Sequence, residues 1–362
     1  MRMMKHQAFT QGGRTPLPYR FSNLRSKLRV SGTDIWILIS KYAMLIPLSE
    51  ATSNSLYGHT PTVTRWFMSI EDIILAQDKR GIAALRPYLS RDYCEEAARF
   101  ILAHDGPVFI ATGFYILQAD RPETDGPLGA LALAHALHRL GRRVIHISDR
   151  YTTPLLQHLG GPDAKIISFP ITGAEASRQY AHDLLTEYQP GLLIAIERCG
   201  LTAADTYLNM RGRDISATTA RVDELFVQHP HSIGIGDGGN EIGMGNLADR
   251  IPAVPSLPDQ PALTRTTQLV IASVANWGAY GILTALSRLS GQNLLPTPDA
   301  ESTALRQAVD FGAVDGTTSE AVYTVDGFSM AENANTLARL HDLITDLEQH
   351  QPHGNRGNDD ES

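Results

Sequence analysis

The chain has 362 residues, 43% hydrophobic and 19% charged, enough apolar sequence for the core of one large or two ordinary domains. Its net charge of −8 is uneven: residues 1–67 carry nine Lys/Arg against two Asp/Glu, and the acidic remainder has no basic stripe, which argues against a nucleic-acid partner. Two cysteines, Cys94 and Cys199, cannot build a disulfide framework and suit a reducing, cytoplasmic setting.

In chain order, residues 1–67 read as a basic N-terminal extension. Its apolar run from 35 to 48 is broken by Ser40, Lys41 and Pro47 and is too short to cross a bilayer, so no membrane partner is expected. Regular patterning begins at Met68, where Ser69 followed three residues later by Asp72 signals a capped helix start. A second helix is predicted over 91–104, with Cys94, Ala97, Ala98 and Ile101 on one apolar face, which makes Cys94 a core residue. From there strands alternate with helices. Strands are predicted at 108–112, 144–148, 166–169, 192–196, 233–235 and 269–274, and helices at 127–140, 154–159, 175–188, 220–228 and 277–289. Near-continuous apolar strands separated by helices predict a doubly wound α/β domain over 68–348, a mostly parallel sheet of about six strands with helices on both faces. The polar tail, 349–362, is expected to be disordered.

Open α/β sheets bind ligands outside the carboxyl ends of their strands. Here those ends carry Thr112-Gly113, Ser148-Asp149, Glu197-Arg198 and Ala275-Asn276-Trp277. The fifth end is unlike the others: from Ser232 to Gly245 it reads S-I-G-I-G-D-G-G-N-E-I-G-M-G, six glycines enclosing Asp237, Asn240 and Glu241. Glycine at this density marks backbone that turns sharply or approaches a ligand, and two carboxylates with an amide at a strand end point to a site. Gly234-x-Gly236-x-x-Gly239 fits the dinucleotide fingerprint formally, but it follows the fifth strand, and Asp237 and Glu241 would repel a pyrophosphate. There is no P-loop sequence, and the thirteen histidines show no zinc spacing. The oxygen donors of Asp237 and Glu241 suit Mg2+ or Mn2+ instead.

Other candidates carry two readings each. Asp125, with Glu123 before it, either stabilises the start of the following helix or faces the crevice to hold a cation or a substrate ammonium. Glu197 and Arg198 point to opposite sides of their strand end, so one enters the pocket and the other makes a structural ion pair. Arg211, in a loop with Asn209, is either a bidentate carboxylate clamp or a surface arginine.

Together these stretches resemble the D-glutamate cyclase-like C-terminal domain family. The similarity rests on Gly236-Asp237-Gly238-Gly239-Asn240-Glu241-Ile242-Gly243-Met244-Gly245, on Glu197-Arg198-Cys199-Gly200 with Asn209, on Val274 through Gly281, and on Val325-Asp326-Gly327, over residues 69–347. Ala275 and Ala279 depart mildly from the Ser and Gly usual in the family, and the family does not keep a cysteine at position 199. The resemblance implies conversion of D-glutamate to 5-oxo-D-proline and water, without nucleotide or redox cofactor. Catalysis is then expected from Asp237, Glu241 and Asn240, with either carboxylate taking the ammonium proton. The N–H groups of Gly238 and Gly239, or the helix start at Asn276 and Trp277, would steady the oxyanion. Arg211 or Arg198 would anchor the α-carboxylate, and Asn209, Glu197 and Asp125 complete the substrate set. Family enzymes of animals carry a further, hydro-lyase-like domain for which residues 1–67 are too short, so a non-catalytic amino-acid sensor is the alternative reading. The expected partner is a small amino acid, and a homo-oligomer is compatible with it.

Overall fold

Side chains alternate across a strand, and in this sheet both faces are apolar. In the computed structural model, β1 (Val108–Thr112) sends Val108 and Ile110 into one hydrophobic cluster and Phe109 and Ala111 into another. The structure describes residues 68–348, together with a short antiparallel pair, Ser26–Val30 with Thr33–Ile37, that the sequence pattern does not anticipate. The chain divides into two units, Met1–Arg65 and Trp66–Ser362. The expected disordered tail, 349–362, lies outside the described residues.

The central sheet continues with β2 (Val144–Ser148), β3 (Ile166–Ser168), β4 (Leu192–Ile196), β5 (Ser232–Gly236) and β6 (Gln268–Ile271), every pairing parallel. Their order across the sheet is β6-β5-β4-β1-β2-β3. The winding therefore reverses between β1 and β4, and such a reversal opens a crevice at the strands' carboxyl ends.

One face is covered by α1 (Ile70–Ile74), α2 (Tyr93–Ala103), α3 (Pro127–Arg139), α4 (Thr153–Gly160) and, after α5 (Ala174–Tyr188) and α6 (Asp223–Gln228), by α7 (Ala275–Ser290), α8 (Pro298–Phe311) and α9 (Met330–Glu348). The other face is covered by α5 and α6. The fold is thus the doubly wound α/β class the sequence pattern predicts. Ser69 caps α1 as expected, its Oγ accepting from Asp72 N at 3.1 Å while Asp72 Oδ2 accepts from Ser69 N at 2.8 Å. β6 stops at Ile271, short of the predicted 274, because Ser273 N donates to Ile74 O at 2.9 Å and leaves the ladder. Helices α8 and α9 lie beyond the predicted set. Among the described residues no helix is long and apolar enough to cross a membrane.

Near the end of the domain a two-stranded ribbon, Thr324–Val325 with Phe328–Ser329, turns through Asp326 and Gly327. Both have positive φ, 53° and 71°, as a two-residue hairpin turn of the right twist requires.

Candidate active site

The glycines after β5 are there to admit a side chain. A Cβ at Gly236 would lie 2.8 Å from Glu241 Oε2, and one at Gly238 would lie 2.8 Å from Glu241 Oε1. Into that space Glu241 folds back, accepting from Gly238 N and Gly239 N at 2.7 Å each. Gly239 turns at φ 97°, a conformation that favours glycine. This corrects one expectation: the N–H groups of Gly238 and Gly239 are committed to Glu241, so they do not form an oxyanion hole. Glu241 Oε1 also accepts from Asp237 N at 3.4 Å.

Asp125 is held in the same manner by a helix start. Its Oδ2 accepts from Ala275 N and its Oδ1 from Asn276 N, both at 2.8 Å, so it caps α7. Asn276 in turn ties α7 to α3: its Oδ1 accepts from Gly126 N at 3.0 Å and Gly129 N at 2.7 Å, and its Nδ2 donates to Thr124 O at 3.3 Å. These bonds use up the α7 N-terminus and the Asn276 amide, which correct the expectation that they face substrate. Trp277 is likewise a core residue, fully buried against Phe328 with Nε1 donating to Asn333 Oδ1 at 2.7 Å.

At the end of β4 the two side chains diverge. Arg198 is 1% exposed, paired with Asp149 at 2.7 Å, and donates to the carbonyls of Gly113 and Ala220. It is a structural residue, not a substrate anchor. Glu197 turns into the crevice with left-handed backbone, φ 44°. Strained backbone of this kind on a non-glycine residue costs about 1–3 kcal/mol and clusters at functional sites.

The result is a buried group of six carboxylates: Glu123, Asp125, Glu197, Asp237, Glu241 and Asp326, none more than 6% exposed. The one guanidinium set among them is Arg80, bonded to Asp237 Oδ1 and 2.8 Å from Asp326 Oδ1. Several polar atoms here have no partner: Glu123 Oε1, Glu197 Oε2, Asp237 Oδ2 and Asn240 Oδ1. Burial, reinforced by neighbouring carboxylates, pushes Glu123, Glu197 and Asp237 well above the usual range. Burial also raises Glu241, and with Asp326 nearby it pushes Asp125 up to about 8. Two sets of three carboxylate oxygens lie within 4.8 Å of one another, Asp125/Asp237/Asp326 and Glu197/Asp237/Glu241.

A cavity of about 190 Å³ opens onto this group, its walls including Glu123, Glu197, Asn240, Arg80 and the exposed Arg211. That is room for a small metabolite. Asn209 Oδ1 accepts from Arg211 N and Arg213 N at 3.0 Å, shaping the turn that carries Arg211. Cys199 is buried, and burial holds its thiol well above the ordinary value, which disfavours a nucleophilic role.

Sequence reasoning missed Arg80, which lies in the short loop after α1 with no motif around it, and gave Asp326 no role in the site. The Asp-Gly pair of its hairpin turn is the signal that could have located it.

Comparison with known proteins adds a family. Human mitochondrial D-glutamate cyclase is 32% identical over 226 residues, covering 57% of this chain and 36% of that protein, so the chain spans well under half the length of the relative. The crystal structure of an exopolyphosphatase-related protein from Bacteroides fragilis aligns with a TM-score of 0.37 at 9% identity, covering 73% of this chain and 62% of that one, a likeness too weak to bear on the site. The model of the family described as D-glutamate cyclase-like, C-terminal, matches residues 70–341, three quarters of the chain and every residue of the acid cluster. The chain belongs to that D-glutamate cyclase-like C-terminal family.

Proposed function

We propose that this chain closes D-glutamate to 5-oxo-D-proline with release of water, as a D-glutamate cyclase-like lyase. The observation that carries the reading is the charge layout of one cavity: the exposed guanidinium of Arg211 with the orphaned oxygens of Glu123 and Glu197. Glutamate brings an α-carboxylate for the first and an ammonium for the second. Membership of the family and the identity to a D-glutamate cyclase support the same substrate class.

The reaction forms a bond from the α-nitrogen to the γ-carbon and breaks one γ-carbon–oxygen bond. Two protons leave the ammonium and both end on the departing oxygen, so atoms and charge balance with no co-reactant. Glu197 is the group to take a proton from the ammonium, since it faces the cavity and an elevated pKa makes a carboxylate a better base. Glu123, whose acid form burial favours, also lines the cavity and is the group to deliver a proton to the leaving oxygen. Asn240 Oδ1 accepts a hydrogen bond from the reacting nitrogen. Arg211 anchors the α-carboxylate and thereby selects the enantiomer whose amine reaches Glu197. Because the nucleophile and electrophile belong to one molecule, holding its ends together removes much of the barrier. Mg2+ or Mn2+ held by Asp237 and Glu241 would polarise the γ-carboxylate.

The test is chiral chromatography of the purified chain incubated with D- or L-glutamate and Mn2+ or Mg2+, without ATP. The expected product is 5-oxo-D-proline from the D-enantiomer. Binding of D-glutamate by a folded chain that never forms the lactam would make this an amino-acid-binding domain instead.

A further inference from the structure

We propose that the acid cluster binds two divalent, oxygen-seeking cations side by side, with Asp237 shared between them. One would be held by Asp125, Asp237 and Asp326, the other by Glu197, Asp237 and Glu241. The inference deepens the Mg2+ or Mn2+ reading above and rests on it.

Three observations carry it. The two sets of converging carboxylate oxygens have Asp237 in common, and the oxygens of each set lie within 4.8 Å of one another. The two sets hold acceptor atoms without donors, Asp237 Oδ2, Asp326 Oδ2 and Glu197 Oε2, on residues at most 6% exposed. Such atoms are costly to bury unless something positive meets them. The third is the charge count. Six buried carboxylates surround a single guanidinium among the described residues, Arg80, so the excess negative charge has to be met by protons or by cations.

The donor set fixes the class of ion. Both groups are carboxylates throughout, with no histidine or cysteine, which suits hard cations such as Mg2+ and Mn2+ over zinc. Asp125 and Glu241 are already oriented by backbone N–H groups, the outer support that metal-binding carboxylates commonly have. Asp237 keeps one oxygen for Arg80 and has the other open, so it can join the two sites without giving up its ion pair. A substrate carboxylate entering past Glu197 and Asn240 would meet a pair of Lewis acids, and such pairs stabilise charge at two oxygens at once.

The experiment is Mn2+ binding to the full-length chain after metal removal, read by equilibrium dialysis and by electron paramagnetic resonance. Two Mn2+ per chain are expected, with the six-line spectrum of isolated Mn2+ giving way at saturation to the more closely spaced lines of an exchange-coupled pair. Asp326→Asn should bind one Mn2+ with an uncoupled spectrum, and Glu197→Gln should do the same from the other side. Circular dichroism of each metal-free variant checks that it folds; if one does not, the other decides. One Mn2+ per folded wild-type chain, or two without coupling, overturns the proposal. A chain that binds a coupled pair but makes no 5-oxoproline keeps the two-cation site and removes the cyclase reading; turnover with a single ion does the reverse.

Discussion

A carboxyl taken out of water resists ionisation, and the residues around Asp237 are used for that property as much as for their charge. Glu197 shows it best: strained backbone, an oxygen with no donor, and a pKa pushed up first by burial and then by Asp237 and Glu241. Replacing it with Gln keeps the shape and removes both the base and a cation ligand. Glu197→Gln is therefore expected to lower kcat by roughly 10²–10⁴ while the metal-free melting temperature holds or rises, since a buried ionisable acid becomes a neutral amide; steady-state kinetics and a thermal melt check both. Arg211 acts differently, because it is exposed and its guanidinium has only a 3.5 Å contact with Thr317 O to give up. Arg211→Leu should raise KM by roughly 10–100-fold, the equivalent of one charge-assisted hydrogen bond, with kcat changed little. A fall in kcat with KM unchanged would remove it from substrate binding. At this scale Asp237, Glu241 and Glu197 were legible because glycine density and strand ends flagged them, and Asp125 because an acidic loop runs into a helix start. Their division of labour was not: which oxygens are spent on backbone N–H groups depends on how the loops fold.

At the scale of elements, the starts of α3 and α7 are one unit joined through Asn276 and Asp125. Asn276→Ala leaves Gly129 N and Thr124 O, both interior groups, without their partner, while Gly126 N keeps Asp125 Oδ1 at 3.0 Å. With each unsatisfied group costing about 1–3 kcal/mol, the variant should lose several kcal/mol and melt roughly 5–15 °C lower, given about 2–4 °C per kcal/mol in a domain of this size. Calorimetry on the variant decides it; an unchanged melting temperature would mean that water replaces the amide. The sequence announced these helices through Pro127 and the apolar run after Asn276, since periodicity and proline act locally. It did not announce the clamp, whose partners are about 150 residues apart. The short ribbon at 324–329 was equally invisible to strand rules, being two residues a side.

For the whole molecule, the parallel six-stranded sheet was readable from alternation, but its strand order was not, because order is set by which face each crossover helix covers. The pH behaviour follows from the assembled cluster. Groups whose folded pKa is raised bind protons more tightly when folded, so the stability they contribute is complete below the unfolded value and is lost as pH rises through the folded one. Asp125, moved from 3.8 to about 8, and Glu301, moved from 4.5 to about 7 by burial, set the window. The metal-free chain is expected to melt at progressively lower temperature from pH 5 to pH 8, and Mn2+ to raise the melting temperature far more at pH 8 than at pH 5, as scanning fluorimetry of the stripped protein can show. A flat profile would mean that the acids are solvated. Lys79 and Arg80 add a consequence of another kind. Lys79 Nζ donates to Gly327 O at 2.8 Å and stands 3.4 Å over the Phe328 ring, while Arg80 grips Asp237 and Asp326, so the first loop of the domain is pinned to its last ribbon across the acids. Asp326 is the last of the six to leave the ribosome. Until its ribbon docks, the other five are still open to water on that side and free to ionise. Burying them beneath that ribbon is therefore coupled to the uptake of protons or cations, so the grip of Lys79 and Arg80 on it weakens or tightens with the supply of both.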